Sequence, residues 1–186
     1  GNGLGNGLDN NWYLDGNNAS VVSSDGNKTT VQMGSGYRGD LWLARSDKGK
    51  IVNVTPADYR YFAIKVGFKS QLVPGKNKPN GCIKLEIFDD GIKKIGPEYF
   101  GTGGDANNRY EILGASEIST TEPNVLYYDL QSKYKTVTPT DWNQVFDLVQ
   151  CKFVIADFPE TAQTYDLYWI RSFKSIEELQ AFVDIW

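Results

Sequence analysis

Histidine is absent from the 186 residues of this chain, and that removes most of the chemistry side chains perform near neutral pH. The Ser-His-Asp and Cys-His arrangements, the commonest general base and imidazole metal sites all need the ring. The two cysteines, Cys82 and Cys151, are far apart and form no CxxC spacing, so a zinc site is excluded. They either form one disulfide in an oxidising compartment or serve as small buried hydrophobes, and the second reading is adopted. The carboxylates support catalysis no better. Hydrolysis of a glycosidic bond needs two of them roughly 5–10 Å apart across a cleft. No E-x-D-x-E run places such a pair on one strand face, and Glu86, Glu98 and Glu111 each stand alone in sequence.

Aromatic residues are the remaining resource: 5 Trp, 11 Tyr and 9 Phe. An aromatic ring stacks on the apolar C–H face of a pyranose, while planar polar side chains hydrogen-bond the hydroxyls. Trp42 is the first candidate, because alternation sets it opposite Leu41 and Leu43. Packing against a cross-strand neighbour is the competing role. Tyr37 and Arg38 follow, in a glycine-flanked segment. Tyr99 lies in the long loop Gly96–Gly104, which either frames a cleft or covers an edge strand. Trp142 follows a capped-turn signal and competes with a role as a plug over the core. Lys84 and Glu86 share the polar face of one strand, which is either a binding face or simply solvated.

These residues have to be held by strands. From Ala19 the chain divides into short β-type runs separated by Gly, Asn, Asp and Pro: Ala19–Ser24, Lys28–Met33, Asp40–Arg45, Tyr61–Phe68, Cys82–Phe88, Ile92–Ile95, Val125–Leu130, Val145–Ile155 and Tyr165–Phe173. Asp25-Gly26-Asn27 and Asp89-Asp90-Gly91 read as tight turns. In Tyr61–Phe68, residues Phe62, Ile64, Val66 and Phe68 share one face, with Tyr61 and Lys65 on the other. Strands with one apolar face each predict an all-β, two-sheet antiparallel sandwich. One helix is expected near the end of the chain. Ser175 and Glu178 form a capping box, and Ile176, Leu179, Phe182 and Val183 follow at helical spacing. Residues 1–16, rich in Gly and Asn with a doubled GNGL, read as a flexible leader, and 17–186 as the sandwich domain.

The segment Val145–Asp157 followed by Tyr165–Leu179, ending WIRSFKSIEEL, resembles the closing strands of family 4-like carbohydrate-binding jelly rolls. Tyr37–Leu41 and Ala57–Lys65 are similar to the early strands of those modules. They occur in gut-bacterial glycan-utilisation lipoproteins and in secreted glycanases. The resemblance implies a galactose-binding-like fold and non-catalytic binding of a polysaccharide or oligosaccharide. It also implies a secreted, cell-surface or periplasmic location, with the chain as part of a larger multimodular protein. Related modules often carry a calcium-ligating Asp two residues before the Ile of the closing strand. Here that position holds Tyr168. Asp9, Asp15 and Asp166 are the carboxylates available to a structural calcium, but nothing in their spacing makes them converge, and no cofactor is expected.

Other partners are limited by charge and hydropathy. With 19 basic and 23 acidic residues the net charge is −4, which gives no field to hold nucleic acid. No apolar run approaches the length of a membrane span. Arg38-Gly39-Asp40 spells a cell-adhesion tripeptide, but it runs directly into Leu41–Leu43 and is read as strand. An adhesion or scaffold module binding a protein, and a glycoside hydrolase with an unrecognised carboxylate pair, remain the alternatives.

Overall fold

A single residue, Asn18, carries the chain from one sheet to the other. Its φ of 55° lies in the left-handed region that Asn tolerates. Strand β1 (Asp15–Asn17) precedes it in a four-stranded sheet, and β2 (Ala19–Ser24) follows it in a six-stranded one. The computed structural model describes residues 15–34, 38–45, 52–54, 58–69, 82–88, 110–129, 146–148, 150–156 and 163–186. The boundary read at residue 16 falls inside β1.

The remaining strands are β3 (Thr29–Met33), β4 (Arg38–Arg45), β5 (Val52–Val54), β6 (Tyr61–Phe68), β7 (Cys82–Phe88), β8 (Tyr110–Ile112), β9 (Asn124–Asp129), β10 (Phe146–Leu148), β11 (Gln150–Ala156) and β12 (Thr164–Phe173). All pairings are antiparallel. The sheets run β1-β4-β11-β7 and β2-β3-β12-β6-β9-β8, with β10 and β5 forming a separate pair. Strands β6 and β7 have the bounds expected from alternation. The run Val145–Ile155 divides into β10 and β11, and β1, β5 and β8 are strands of three residues that periodicity did not mark. The expected strand Ile92–Ile95 and the turn before it lie outside the described residues.

The two larger sheets pack face to face. Phe153 of β11 meets Tyr165 of β12 at 5.8 Å between ring centroids, edge to face. Leu41 and Phe153 come from one sheet. From the other come Val31, Met33, Phe62, Ile64, Val66, Leu126, Tyr128, Leu167 and Ile170, all buried. Gly39 sits close at this seam: a Cβ there would lie 2.6 Å from Met33 Cε and 3.0 Å from the Asn18 carbonyl oxygen, so the methionine end would have to move. The tripeptide Arg38-Gly39-Asp40 is thus strand, paired with β11 from Ala156 to Val154.

The register also decides the cysteines. Cys82 is opposite Ala156, whereas Cys151 is opposite Ile87. Five residues along a strand at about 3.3 Å each separate them, far beyond the reach of a disulfide. A Cys82–Cys151 bridge is excluded within one chain.

The Asp25-Gly26-Asn27 turn forms as read. The Asp25 N–H donates to the Lys28 carbonyl at 3.0 Å, and Asp25 Oδ1 accepts from the backbone of Asn27 and Lys28 at 2.7 and 2.9 Å. Those two bonds hold the Asp25 carboxyl below its ordinary value. The helix α1 (Ile176–Val183) also forms as read. Ser175 caps it by accepting from the Glu178 N–H at 3.1 Å. Glu178 reaches back to the Lys174 N–H at 2.8 Å, one residue beyond the partner of a standard capping box. No helix among the described residues is long and apolar enough to cross a membrane.

Candidate functional site

Strand β12 carries an irregularity that sets the site. Its register with β6 shifts between Leu167 and Trp169, leaving Tyr168 as an extra residue. A β-bulge of this kind re-aims the side chains that follow. Up to Leu167 odd-numbered residues face the sandwich interior. After the bulge Trp169, Arg171 and Phe173 lie opposite Lys65, Ala63 and Tyr61, on the outer face. Strand β3 pairs with β12 only as far as Leu167, so the hairpin turn at Gly26-Asn27 ends beside the bulge.

Helix α1 covers part of this outer face. Ala63, Val125, Trp169, Phe173 and Leu179 form a second buried cluster, with Tyr61, Tyr127, Tyr168, Phe182 and Val183 packed around it. This is why Ala63 is buried although alternation assigns it to the polar face. Phe182 meets Trp169 at 5.1 Å and 87°, and Phe173 at 5.4 Å and 57°. On its other side Phe182 stacks on Trp186 at 6.4 Å and 27°. The rings form a ladder from Trp169, 6% exposed, to Trp186, 69% exposed.

Trp186 is held in place despite its exposure. Its backbone N–H donates to the Phe182 carbonyl at 2.9 Å, and its main-chain oxygen accepts from Lys65 Nζ at 2.9 Å. Lys65 Nζ also lies 5.3 Å from the centre of the Tyr168 ring. Between these groups lies a groove of about 410 Å³ lined by Gly26, Asn27, Tyr168, Trp169, Arg171, Phe182 and Trp186. Asn27 is exposed. At Gly26 a Cβ would find no atom within 4 Å, so the turn leaves that wall open.

Next to the groove Asp166 is already engaged. It accepts from Thr30 Oγ1 at 2.7 Å and from Lys28 Nζ at 3.1 Å. Burial pushes its carboxyl up, but the bonds from Thr30 and Lys28, together with the charge of Lys69, outweigh that and hold it below the usual carboxylate range. Lys28 is correspondingly raised by the Asp166 bond. Among the described residues no group of carboxylates and cysteines is arranged to hold a metal.

Four of the residues named from sequence have a described backbone. Arg38 and Trp42 belong to β4, and Lys84 and Glu86 to β7, all in the four-stranded sheet. The register sets Trp42 opposite Lys152, and Lys152 opposite Glu86, in one row across three strands. Lys84 and Asp40 both lie opposite Val154. The side chains of Arg38, Trp42, Lys84 and Glu86, and residues Tyr37, Tyr99 and Trp142, lie outside the described residues. Sequence reasoning missed the groove of the six-stranded sheet. It treated Tyr168 only as a departure from a calcium position. The available signal was the run Tyr168-Trp169-Ile170-Arg171, where two adjacent aromatics break strict alternation.

The profile of a domain of unknown function, DUF4979, matches residues 5–179. The chain belongs to the DUF4979 family. No curated protein matches it. A solved structure described as concerning the promiscuous specificity of carbohydrate-binding modules from the β-sandwich superfamily overlaps this DUF4979 chain with a TM-score of 0.47 and 12% identity. The overlap covers 90% of the DUF4979 chain and 58% of that structure.

Proposed function

We propose that this DUF4979 domain binds carbohydrate without transforming it. The observation that carries the reading is Trp186. It is a large indole left mostly in water, yet fixed by a backbone bond, a ring stack and a lysine. An exposed aromatic fixed in this way forgoes burial, and fixing it in advance lowers the ordering cost of a ligand that stacks on it. Tyr168 adds a second ring, and Asn27 and Arg171 add planar hydrogen-bonding groups of the kind that meet sugar hydroxyls. None of the described lining residues has a carboxylate side chain of the kind glycoside hydrolysis uses in pairs. The proposal includes the family 4-like character read in the sequence, and with it a secreted, cell-surface or periplasmic module acting within a larger protein.

Calorimetry against a panel of neutral and acidic oligosaccharides tests this reading. At least one glycan is expected to bind and to quench tryptophan fluorescence. Trp186→Ala should weaken binding about tenfold, the worth of one stacked ring. Absence of binding to every glycan, or undiminished binding by the Trp186→Ala variant, refutes the assignment to this groove. Capture of a protein partner through the same residues would refute the glycan reading in favour of a scaffold.

A further inference from the structure

The groove is basic as well as aromatic, in a chain whose net charge is −4. Arg171 stands on the outer face of β12 with its guanidinium 4.8 Å from the Phe182 ring centre and 5.8 Å from that of Phe173. Its Nε is buried without a hydrogen-bond partner. Among the described residues the ion pairs are Lys28 with Asp166 and Arg60 with Asp129, and Arg171 joins neither. Lys65, beside Trp169 in the register, is already engaged, its Nζ lying 2.9 Å from the Trp186 main-chain oxygen and 5.3 Å from the centre of the Tyr168 ring. None of the described lining residues is acidic.

The contrast with the neighbouring cations is informative. Lys28 and Arg60 each meet a carboxylate, Arg60 bidentately at 2.7 Å on both oxygens. Arg171 is flanked by the rings of Phe182 and Phe173, which orient a cation without neutralising it. A planar guanidinium whose fork lacks an acceptor matches a carboxylate or sulfate better than it matches a hydroxyl. A neutral pyranose stacked on Trp186 would leave the Arg171 charge uncompensated.

We infer that the groove selects an acidic saccharide, whose ring stacks on Trp186 or Tyr168 while its carboxylate or sulfate ester meets Arg171. This rests on the glycan-binding reading above and names the class of ligand for that site.

The test compares matched ligands by calorimetry on the 186-residue chain at low salt: an oligogalacturonate, its fully methyl-esterified counterpart, a sulfated galactan oligosaccharide, and neutral xylo- and cello-oligosaccharides. The expected result is that an acidic ligand binds about tenfold more tightly than the neutral ones. That advantage should shrink as salt is raised. Preference for the oligogalacturonate identifies the carboxylate as the anion, and preference for the sulfated galactan identifies the ester. Arg171→Gln should abolish most of the advantage, so that acidic and neutral ligands bind about equally. Arg171→Lys, which keeps the charge, should retain part of the advantage and controls for loss of packing on Phe182. Equal binding of acidic and neutral ligands overturns the selectivity but leaves carbohydrate binding standing. Failure of all the ligands overturns both.

Discussion

The six-stranded sheet has two faces that are finished differently. On the inner face Phe62, Ile64, Val66, Leu126 and Ile170 are fully buried against the opposing sheet. On the outer face Ala63, Val125, Trp169 and Phe173 are covered by one helix of eight residues, and the cover ends at an exposed tryptophan. The inner face is packed against a whole sheet of four strands. A helix spans only about 10–12 Å across with its side chains, so it covers two or three strands and leaves an edge. The groove is that edge. Aromatic and cationic side chains therefore gather where packing stops, and stability and binding are drawn from different faces of one sheet.

That division predicts a graded series of mutational effects. The largest belongs to the inner face. Phe62→Ala should cost about 3–5 kcal/mol in chemical denaturation, because the ring is wholly enclosed and the opposing sheet cannot collapse into the space. Leu179→Ala, beneath the helix, should cost about 2–3 kcal/mol. It should also loosen the groove, since Phe182 and Trp186 depend on the docked helix. Hydrogen exchange should then show the helix opening before the strands. If Leu179→Ala instead unfolds helix and strands in one step, the two faces are a single cooperative unit.

Smaller effects sharpen the same contrast. Ser175→Ala removes the bond to the Glu178 N–H and should cost about 1 kcal/mol, with the loss again confined to the helix. Asp166→Asn should cost about 1 kcal/mol near neutral pH, a modest figure because its lysine partner is 40% exposed. Since the folded carboxyl is held below its unfolded value near 3.9, its contribution is fully present above that pH. It is lost as pH falls through the lower folded value. The wild type and the Asn variant should therefore converge in stability in strong acid, measured by urea titration at pH 7 and below pH 3. A gap that persists unchanged in acid would mean that Thr30 and Lys28 do not stabilise the charged form. The smallest effect on stability belongs to Trp186→Ala, within about 0.5 kcal/mol in the absence of ligand, because its ring buries little.

Particular residues show what could be read in advance and what could not. Strand β6 was legible because one buried face imposes a period of two, and β7 because Ile83, Leu85 and Ile87 alternate with polar residues in the sequence. The helix was legible because capping and its apolar stripe are local. Strands β1, β5 and β8 were not, since three residues are too few to show a period and are strands only through their partners. The groove was missed for a related reason. A bulge at Tyr168 reverses the parity of β12, so counting from Tyr165 gives the wrong face for Trp169 and Arg171.

The sequence by itself determined the all-β character, the single capped helix, the Asp25–Lys28 turn and the exclusion of histidine chemistry, because each depends on composition or on contacts a few residues apart. Only the tertiary structure decided that Cys82 and Cys151 are too far apart to bond, that Asn18 is the corner between the sheets, and that Trp186 is held beside Tyr168 and Arg171. Those facts depend on register, on a bulge and on where a helix stops covering a sheet. Residues brought together from positions 26 to 186 meet only once the whole chain has folded.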